Sequence, residues 1–78
     1  MFEEVFMKKL ILFLVRKYLG LRLYEEFQFV NQKTNNRYYF SEEGIMRYEP
    51  DTLSSHLSGV SLNWLLDDEC VIKRIESD

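Results

Sequence analysis

The stretch GLRLYEEFQFVNQKTNNRYYFSEEGIMRY, residues 20–48, decides the fold of this 78-residue chain. It begins with a helix-stopping glycine and continues with an acidic and aromatic segment, an asparagine-rich turn and a second aromatic segment. Aromatic residues favour strands, and Asn, Gly and Ser favour turns. We therefore predict an antiparallel hairpin from residues 25–30 and 37–40, with residues 45–48 returning as a third strand after a turn at residues 41–44. The alternation in the first strand is imperfect, so the pattern leaves open which side of the sheet is the core.

A helix is predicted before this sheet, over about residues 2–19, and it is apolar on two faces. Acidic residues occupy its first turn and Arg16 and Lys17 its last, as helix ends favour. At about 100° per residue, one face is expected to be the core stripe, formed by Met7, Leu10, Ile11, Leu14, Val15 and Tyr18. The opposite face predicts a surface for self-association or docking, formed by Phe2, Val5, Leu12 and Phe13. The apolar run at residues 10–15 is also compatible with a buried strand.

Residues 50–75 are expected to complete the domain with one or two short helices and a last strand. Pro50 stops the sheet, and Asp51 or Thr52 is placed to cap a short helix through Leu57. Ser61 is placed to cap a second helix, and residues 70–75 predict the final strand. The resulting order, αβββαβ, makes residues 1–78 a single α+β domain, with the N-terminal helix packed on a small antiparallel sheet.

Composition is that of a folded chain, and its charge is uneven. The net charge is −3, with 46% hydrophobic and 15% aromatic residues. Residues 1–41 carry seven basic and four acidic side chains, whereas residues 42–78 carry three basic and nine acidic ones. The apolar run before Arg16 is too short for a secretory or membrane-spanning segment, and one cysteine makes no internal disulfide. We therefore expect a protein of the cytoplasm without membrane contact, and Met7 is an alternative start residue.

The sequence offers no convincing catalytic, metal or cofactor site. A hydrolase or transferase needs a nucleophile, a base and an orienting group, and the chain has one His56 and one Cys70. Zinc would need four nitrogen or sulfur ligands, and three adjacent carboxylates do not converge on a hard cation as spaced loop ligands do. The glycines follow no phosphate-binding spacing. We expect a protein that is not an enzyme and binds no cofactor and no metal.

Charge favours a protein partner over nucleic acid. Arg37 is followed by three aromatic residues, as in strands that stack bases, but a pI of about 5.1 has the wrong sign for affinity to phosphates. Clustered carboxylates instead imitate a phosphate array. We therefore expect a partner with a basic DNA-binding surface, contacted by Glu42, Glu43, Glu49, Asp51, Asp67, Asp68 and Glu69. The alternative for these residues is a solvated acidic surface that keeps a small protein soluble.

Several short segments together resemble a family of small proteins. The matching residues are Leu19-Gly20, Glu25-Glu26-Phe27, Tyr38-Tyr39-Phe40, Glu42-Glu43-Gly44, Leu65-Leu66 and Val71-Ile72. In this pattern the chain resembles uncharacterised proteins encoded by bacteriophages and prophages of Gram-positive bacteria, from which it departs at residues 31–36 and 67–69. The resemblance implies no enzymatic activity. It implies a setting in which tiny proteins bind and disable one host machine.

These observations lead to two hypotheses of function. In the first, the protein inhibits a host DNA-handling or defence protein in the host cytoplasm, through its acidic and partly DNA-mimicking surface, as a homodimer formed by the first helix. The replication sliding clamp is one such target, because Leu10-Ile11-Leu12-Phe13 matches the core of clamp-binding peptides except that Lys9 replaces the leading Gln. In the second, the chain is a homo-oligomeric phage structural or assembly accessory without inhibitory activity.

Overall fold

A computed structural model describes residues 2–75 of the chain, and the side chains of residues 6–75. Its elements are α1 (Phe2–Leu19), β1 (Phe27–Phe29), β2 (Arg37–Phe40), β3 (Ile45–Glu49), β4 (Ser54–Leu57), α2 (Leu62–Leu65) and β5 (Ile72–Arg74). The strands form one antiparallel sheet in the order β4-β3-β2-β1-β5. The predicted α+β class, the N-terminal helix and the small antiparallel sheet are confirmed, with one strand more than expected.

The end of α1 is fixed by Gly20. Its φ is +73°, a left-handed conformation that glycine adopts without steric cost. The Gly20 N–H donates to the Lys17 carbonyl at 3.0 Å, and the Leu21 N–H donates to the Arg16 carbonyl at 3.1 Å. This pair of bonds is the Schellman arrangement, and buried Leu21 adds the apolar contact that usually accompanies it. The chain therefore reverses here and brings the sheet back under the helix.

The core lies between α1, α2 and one side of the sheet. Phe27 pairs with Tyr38, and Phe40 pairs with Ile45, so these four side chains point to the same side. Phe27 and Phe40 are the largest fully buried side chains in the described part of the chain, and their ring centroids are 6.1 Å apart. The core is completed by Leu12, Val15, Leu21 and Leu65. Phe27 and Phe29 thus mark the core side that the sequence left open.

The prediction of a short helix through Leu57 is wrong, because residues 54–57 form the edge strand β4. Pro50 and Asp51 begin a turn rather than a helix, and Leu53 takes a positive φ of 54° that ends it. The chain then returns antiparallel along β3, with Met46 opposite Leu57. Ser and Thr favour both helix caps and turns before a strand, so the sequence pattern does not distinguish the two. Only the second short helix is present, with Ser61 accepting a hydrogen bond from the Asn63 N–H.

The predicted core stripe of α1 is also wrong, because the sheet covers a different face of the helix. Of the six expected core residues only Val15 is buried, and the buried positions of α1 are Leu12 and Val15, with Leu19 packed beside them. Leu12, expected on a surface for self-association, lies in the core. Both faces of the helix are apolar, so periodicity alone gave no means to choose between them. Over the described residues, no helix has the length and apolar character needed to cross a membrane.

Candidate protein-interaction surface

The helix α1 turns a broad apolar face toward solvent, which we name the outer face. Its side chains are between 38% and 71% exposed. Soluble monomers seldom leave a contiguous apolar patch of this kind uncovered, and larger ones mark interaction sites. The outer face consists of Phe6, Met7, Leu10, Ile11, Phe13, Leu14 and Tyr18. Phe2 and Val5, also predicted for self-association, lie outside the residues whose side chains the structure describes.

Two basic side chains contact the ring of Phe13, which lies at the border of the outer face. The Arg16 guanidinium carbon lies 5.5 Å from the centroid of the Phe13 ring, and the Lys17 ammonium nitrogen lies 5.7 Å from it. Arg16 is itself anchored, because its Nη1 donates to the Leu21 carbonyl at 2.9 Å. Cation contacts with an aromatic ring are worth about 0.5–1 kcal/mol at exposed sites. Phe13 is therefore exposed at the surface and flanked by two basic side chains, of which Arg16 is anchored.

Phe13 also lines a groove between α1 and the β2–β3 turn, with a volume of about 390 Å³. The buried side chains of Leu12 and Phe40 form its apolar floor. Lys9 and Arg16 line it from α1, and Glu42 lines it from the turn. The groove, which we name the helix–turn groove, is thus apolar below with cations from one element and a carboxylate from the other. Its full lining is Lys9, Leu12, Phe13, Arg16, Leu23, Phe40, Ser41 and Glu42.

The turn that carries Glu42 and Glu43 is tied by Ser41. The Ser41 N–H donates to the Gly44 carbonyl at 2.8 Å, and the Ser41 hydroxyl donates to the same carbonyl at 3.0 Å. The Glu43 N–H donates to the Ser41 hydroxyl oxygen at 3.2 Å. Both glutamates are exposed. Two carboxylates are therefore presented from a tight turn beside an apolar groove.

The seven carboxylates predicted for partner binding do not form one surface. Glu42 and Glu43 lie at one end of the sheet, in the β2–β3 turn. Glu49 and Asp51 lie at the opposite end, where β3 passes into β4. The run 67–69 precedes β5 on the other edge of the sheet, three strands away from β3. At about 4.8 Å per strand, that separation is roughly 14 Å. The structure therefore brings only neighbouring pairs and the run itself together.

Glu49 belongs to a cluster that sequence reasoning missed. Arg47 Nη2 lies 2.9 Å from His56 Nε2 and 3.3 Å from Glu49 Oε1. His56 Nε2 also lies 3.6 Å from Glu49 Oε1, so the three side chains form one group. Arg47 Nε is buried without a partner among the described residues. The period-two spacing of Arg47 and Glu49 on a strand indicates that they share a face. The sequence, however, predicts their partner His56 in a helix, so it gives no sign of the cluster. This half-exposed cluster contains no nucleophile.

The two residues that seemed capable of nucleophilic chemistry lie apart. His56 is in β4 and Cys70 precedes β5, and these are the two opposite edges of the sheet. Burial, and secondarily the charge of Asp67, raise the pKa of the Cys70 thiol, which makes it less nucleophilic at neutral pH. Within the part of the chain whose side chains are described, no three His, Cys, Asp or Glu residues are grouped to hold a metal ion.

The clamp-like segment at residues 10–13 lies in the middle of α1. Its Leu12 is buried in the core, whereas peptides of that type bind in an extended form. In this fold the segment is therefore helical, and its Leu12 is not accessible to a partner. Comparisons with protein-family models, with curated proteins and with solved structures each gave no match for the chain.

Proposed function

We propose that this protein acts by binding another protein, and that it inhibits a DNA-handling protein of a bacterial host. The helix–turn groove is the observation that supports this best. Phe13 and Glu42 both line it, and these residues come from the two regions that the sequence marks independently for contact. An apolar hollow with a few convergent charges is a typical binding site. The bacterial host and the inhibitory effect are drawn from the family resemblance.

The acidic contact is assigned to Glu42 and Glu43 alone. Both are exposed, Glu42 lines the groove with Glu43 next to it in the same turn, and the other candidate carboxylates lie elsewhere in the fold. A matching partner inserts an apolar side chain over Leu12 and Phe40 and places a Lys or Arg next to Glu42. Surfaces that bind DNA are rich in such basic side chains. Occupying one of them would block access of DNA without any catalysis.

The proposal is tested by producing the protein in a Gram-positive bacterium and measuring incorporation of labelled thymidine. We expect wild type to arrest DNA synthesis, and the double variant Glu42→Lys with Glu43→Lys to lose this effect. Reversing a rim charge opposite a basic partner mainly slows association and weakens binding. The matched control, Asp68→Lys with Glu69→Lys, makes the same change of charge on the far loop and should remain inhibitory.

Normal DNA synthesis in cells that contain wild-type protein would refute the inhibitor proposal. Equal loss of the effect in both charge-reversed variants would refute the assignment to the helix–turn groove. It would indicate that the partner responds to negative charge spread over the protein surface. The partner itself is then sought by cross-linking from Glu43→Cys in a Cys70→Ser background. A partner lacking a basic surface would contradict the expected chemistry.

A second candidate function is a homo-oligomeric accessory protein of phage assembly. The exposed outer face of α1 favours it, because large exposed apolar faces mark sites where another chain binds. This alternative predicts self-association without any effect on host DNA synthesis. The thymidine measurement therefore separates the two functions.

A further inference from the structure

We propose that the outer face of α1 binds the same face of a second copy of this chain, with the two helices antiparallel. The inference stands on the helix alone and is independent of the inhibitor proposal. Its starting point is that the domain leaves one apolar stripe of α1 uncovered. Met7, Ile11, Leu14 and Tyr18 are all exposed in the single chain.

These four positions have the spacing of a helix–helix seam. Met7 and Ile11 are four residues apart, Ile11 and Leu14 three, and Leu14 and Tyr18 four. A 4-3-4 alternation is the repeat that keeps one line of side chains facing a second helix over several turns. Leu10 and Phe13 lie beside this seam and widen it.

The exposed area is also of the right size for a dimer. The exposed fractions of the seven outer-face side chains together amount to between three and four fully exposed large apolar residues. At about 150–200 Å² for each, this gives on the order of 600 Å² per chain. A standard stable interface buries about 800 Å² per partner, and backbone and charged rim atoms supply the remainder. The helix is 18 residues and therefore about 27 Å long, enough for such a contact.

Charge selects the antiparallel direction. Arg16 and Lys17 occupy the last turn of α1. A parallel pair would bring the two basic ends together along one edge. An antiparallel pair separates them and aligns the two helix dipoles in opposite directions, which is the favourable arrangement. A symmetric pair of this kind closes as a dimer and does not extend into a fibre.

Sedimentation velocity on the full chain tests the dimer, over a range from low to high micromolar concentration. At high concentration we expect wild type to sediment as a species with twice the 9.5 kDa mass of one chain. The variant Leu14→Glu should raise the dissociation constant about a hundredfold or more, because the symmetric dimer loses two buried leucines and gains two buried charges. The matched control is Leu53→Glu, which changes an exposed leucine in the β3–β4 turn and should leave the dimer intact.

Circular dichroism is used to check that Leu14→Glu folds, which we expect because Leu14 is exposed. A wild-type protein that stays monomeric at high concentration overturns the proposal, as does a dimer that survives Leu14→Glu. Binding of monomeric wild type to phosphatidylglycerol vesicles would overturn it in favour of a membrane surface. None of these outcomes depends on the groove residues Glu42 and Glu43, so failure here is distinct from failure of the inhibitor proposal.

Helix direction is tested by oxidising Tyr18→Cys in a Cys70→Ser background. A disulfide needs Cα atoms closer than about 7 Å. Parallel helices bring the two copies of position 18 together, whereas antiparallel helices hold them more than one helical turn apart. We expect no disulfide-linked dimer under oxidising conditions. A rapidly formed disulfide dimer would refute the antiparallel arrangement.

Discussion

Leu12 and Leu14 are two positions apart in α1, yet Leu12 is 8% exposed and Leu14 is 55% exposed. Two residues in a helix differ by about 200° around the axis, so the two leucines point to opposite sides. Leu12 packs in the core with Phe27 and Phe40, and Leu14 belongs to the outer face. The same residue type therefore serves folding at one position and is free for association at the other.

This relationship predicts different effects for the same substitution. Leu12→Ala should lower the free energy of unfolding by about 2–4 kcal/mol, because it leaves a cavity in a small core. Leu14→Ala should change it by less than about 0.5 kcal/mol at concentrations where the chain is monomeric. Urea unfolding followed by circular dichroism measures both. Similar losses for the two variants would contradict the assigned helix faces.

The sequence predicted those parts of the fold that depend on local chemistry. The β2 strand, the Ser41–Gly44 turn and the end of α1 follow from aromatic, Asn, Ser and Gly residues close in the chain. The edge strand β4 and the buried face of α1 could not be predicted, since both depend on which distant residues pack against them. Ser54–Leu57 has no strong strand preference of its own and gains its hydrogen bonds from β3. The groove was missed for the same reason, because α1 and the β2–β3 turn meet only in the fold.

The Phe27 side chain should be the most sensitive position in the core. It is fully buried, and its ring contacts those of Phe29, Tyr38 and Phe40. Phe27→Ala should cost about 3–5 kcal/mol. That is about half of the stability expected for 78 residues, at about 0.05–0.15 kcal/mol per residue. We expect the purified variant to lack cooperative thermal unfolding, and the milder Phe27→Leu to retain it at a lower midpoint. A cooperative Phe27→Ala protein would show that the core is less centred on this ring.

Gly20 and Gly59 provide a matched pair for the backbone. Gly20 has a φ of +73°, and a Cβ placed there would meet the Arg74 Nη2 atom at 3.0 Å. Gly20→Ala should therefore cost about 1–2 kcal/mol, which is the left-handed penalty of an L-residue. A Cβ at Gly59 meets nothing within 4 Å, and Gly59→Ala should be neutral or stabilising by up to about 1 kcal/mol through the unfolded chain. Thermal unfolding of both variants checks the difference in sign.

Cys70 should make the stability of the protein fall at alkaline pH. Burial, and then Asp67, raise the pKa of its thiol above the ordinary value. At low pH the thiol is protonated in both the folded and the unfolded chain, so it contributes no pH dependence. Above the ordinary thiol pKa of about 8.5 the unfolded chain loses the proton first, and the free energy of unfolding decreases until the folded thiol also ionises. Cys70→Ala removes this contribution. The difference in unfolding free energy between wild type and Cys70→Ala should therefore be constant up to about pH 8 and shift in favour of the variant above it.

The raised pKa of Cys70 is also tested by alkylation. Iodoacetamide should alkylate native Cys70 more slowly than the urea-unfolded chain at pH 8, and equal rates would contradict the raised pKa.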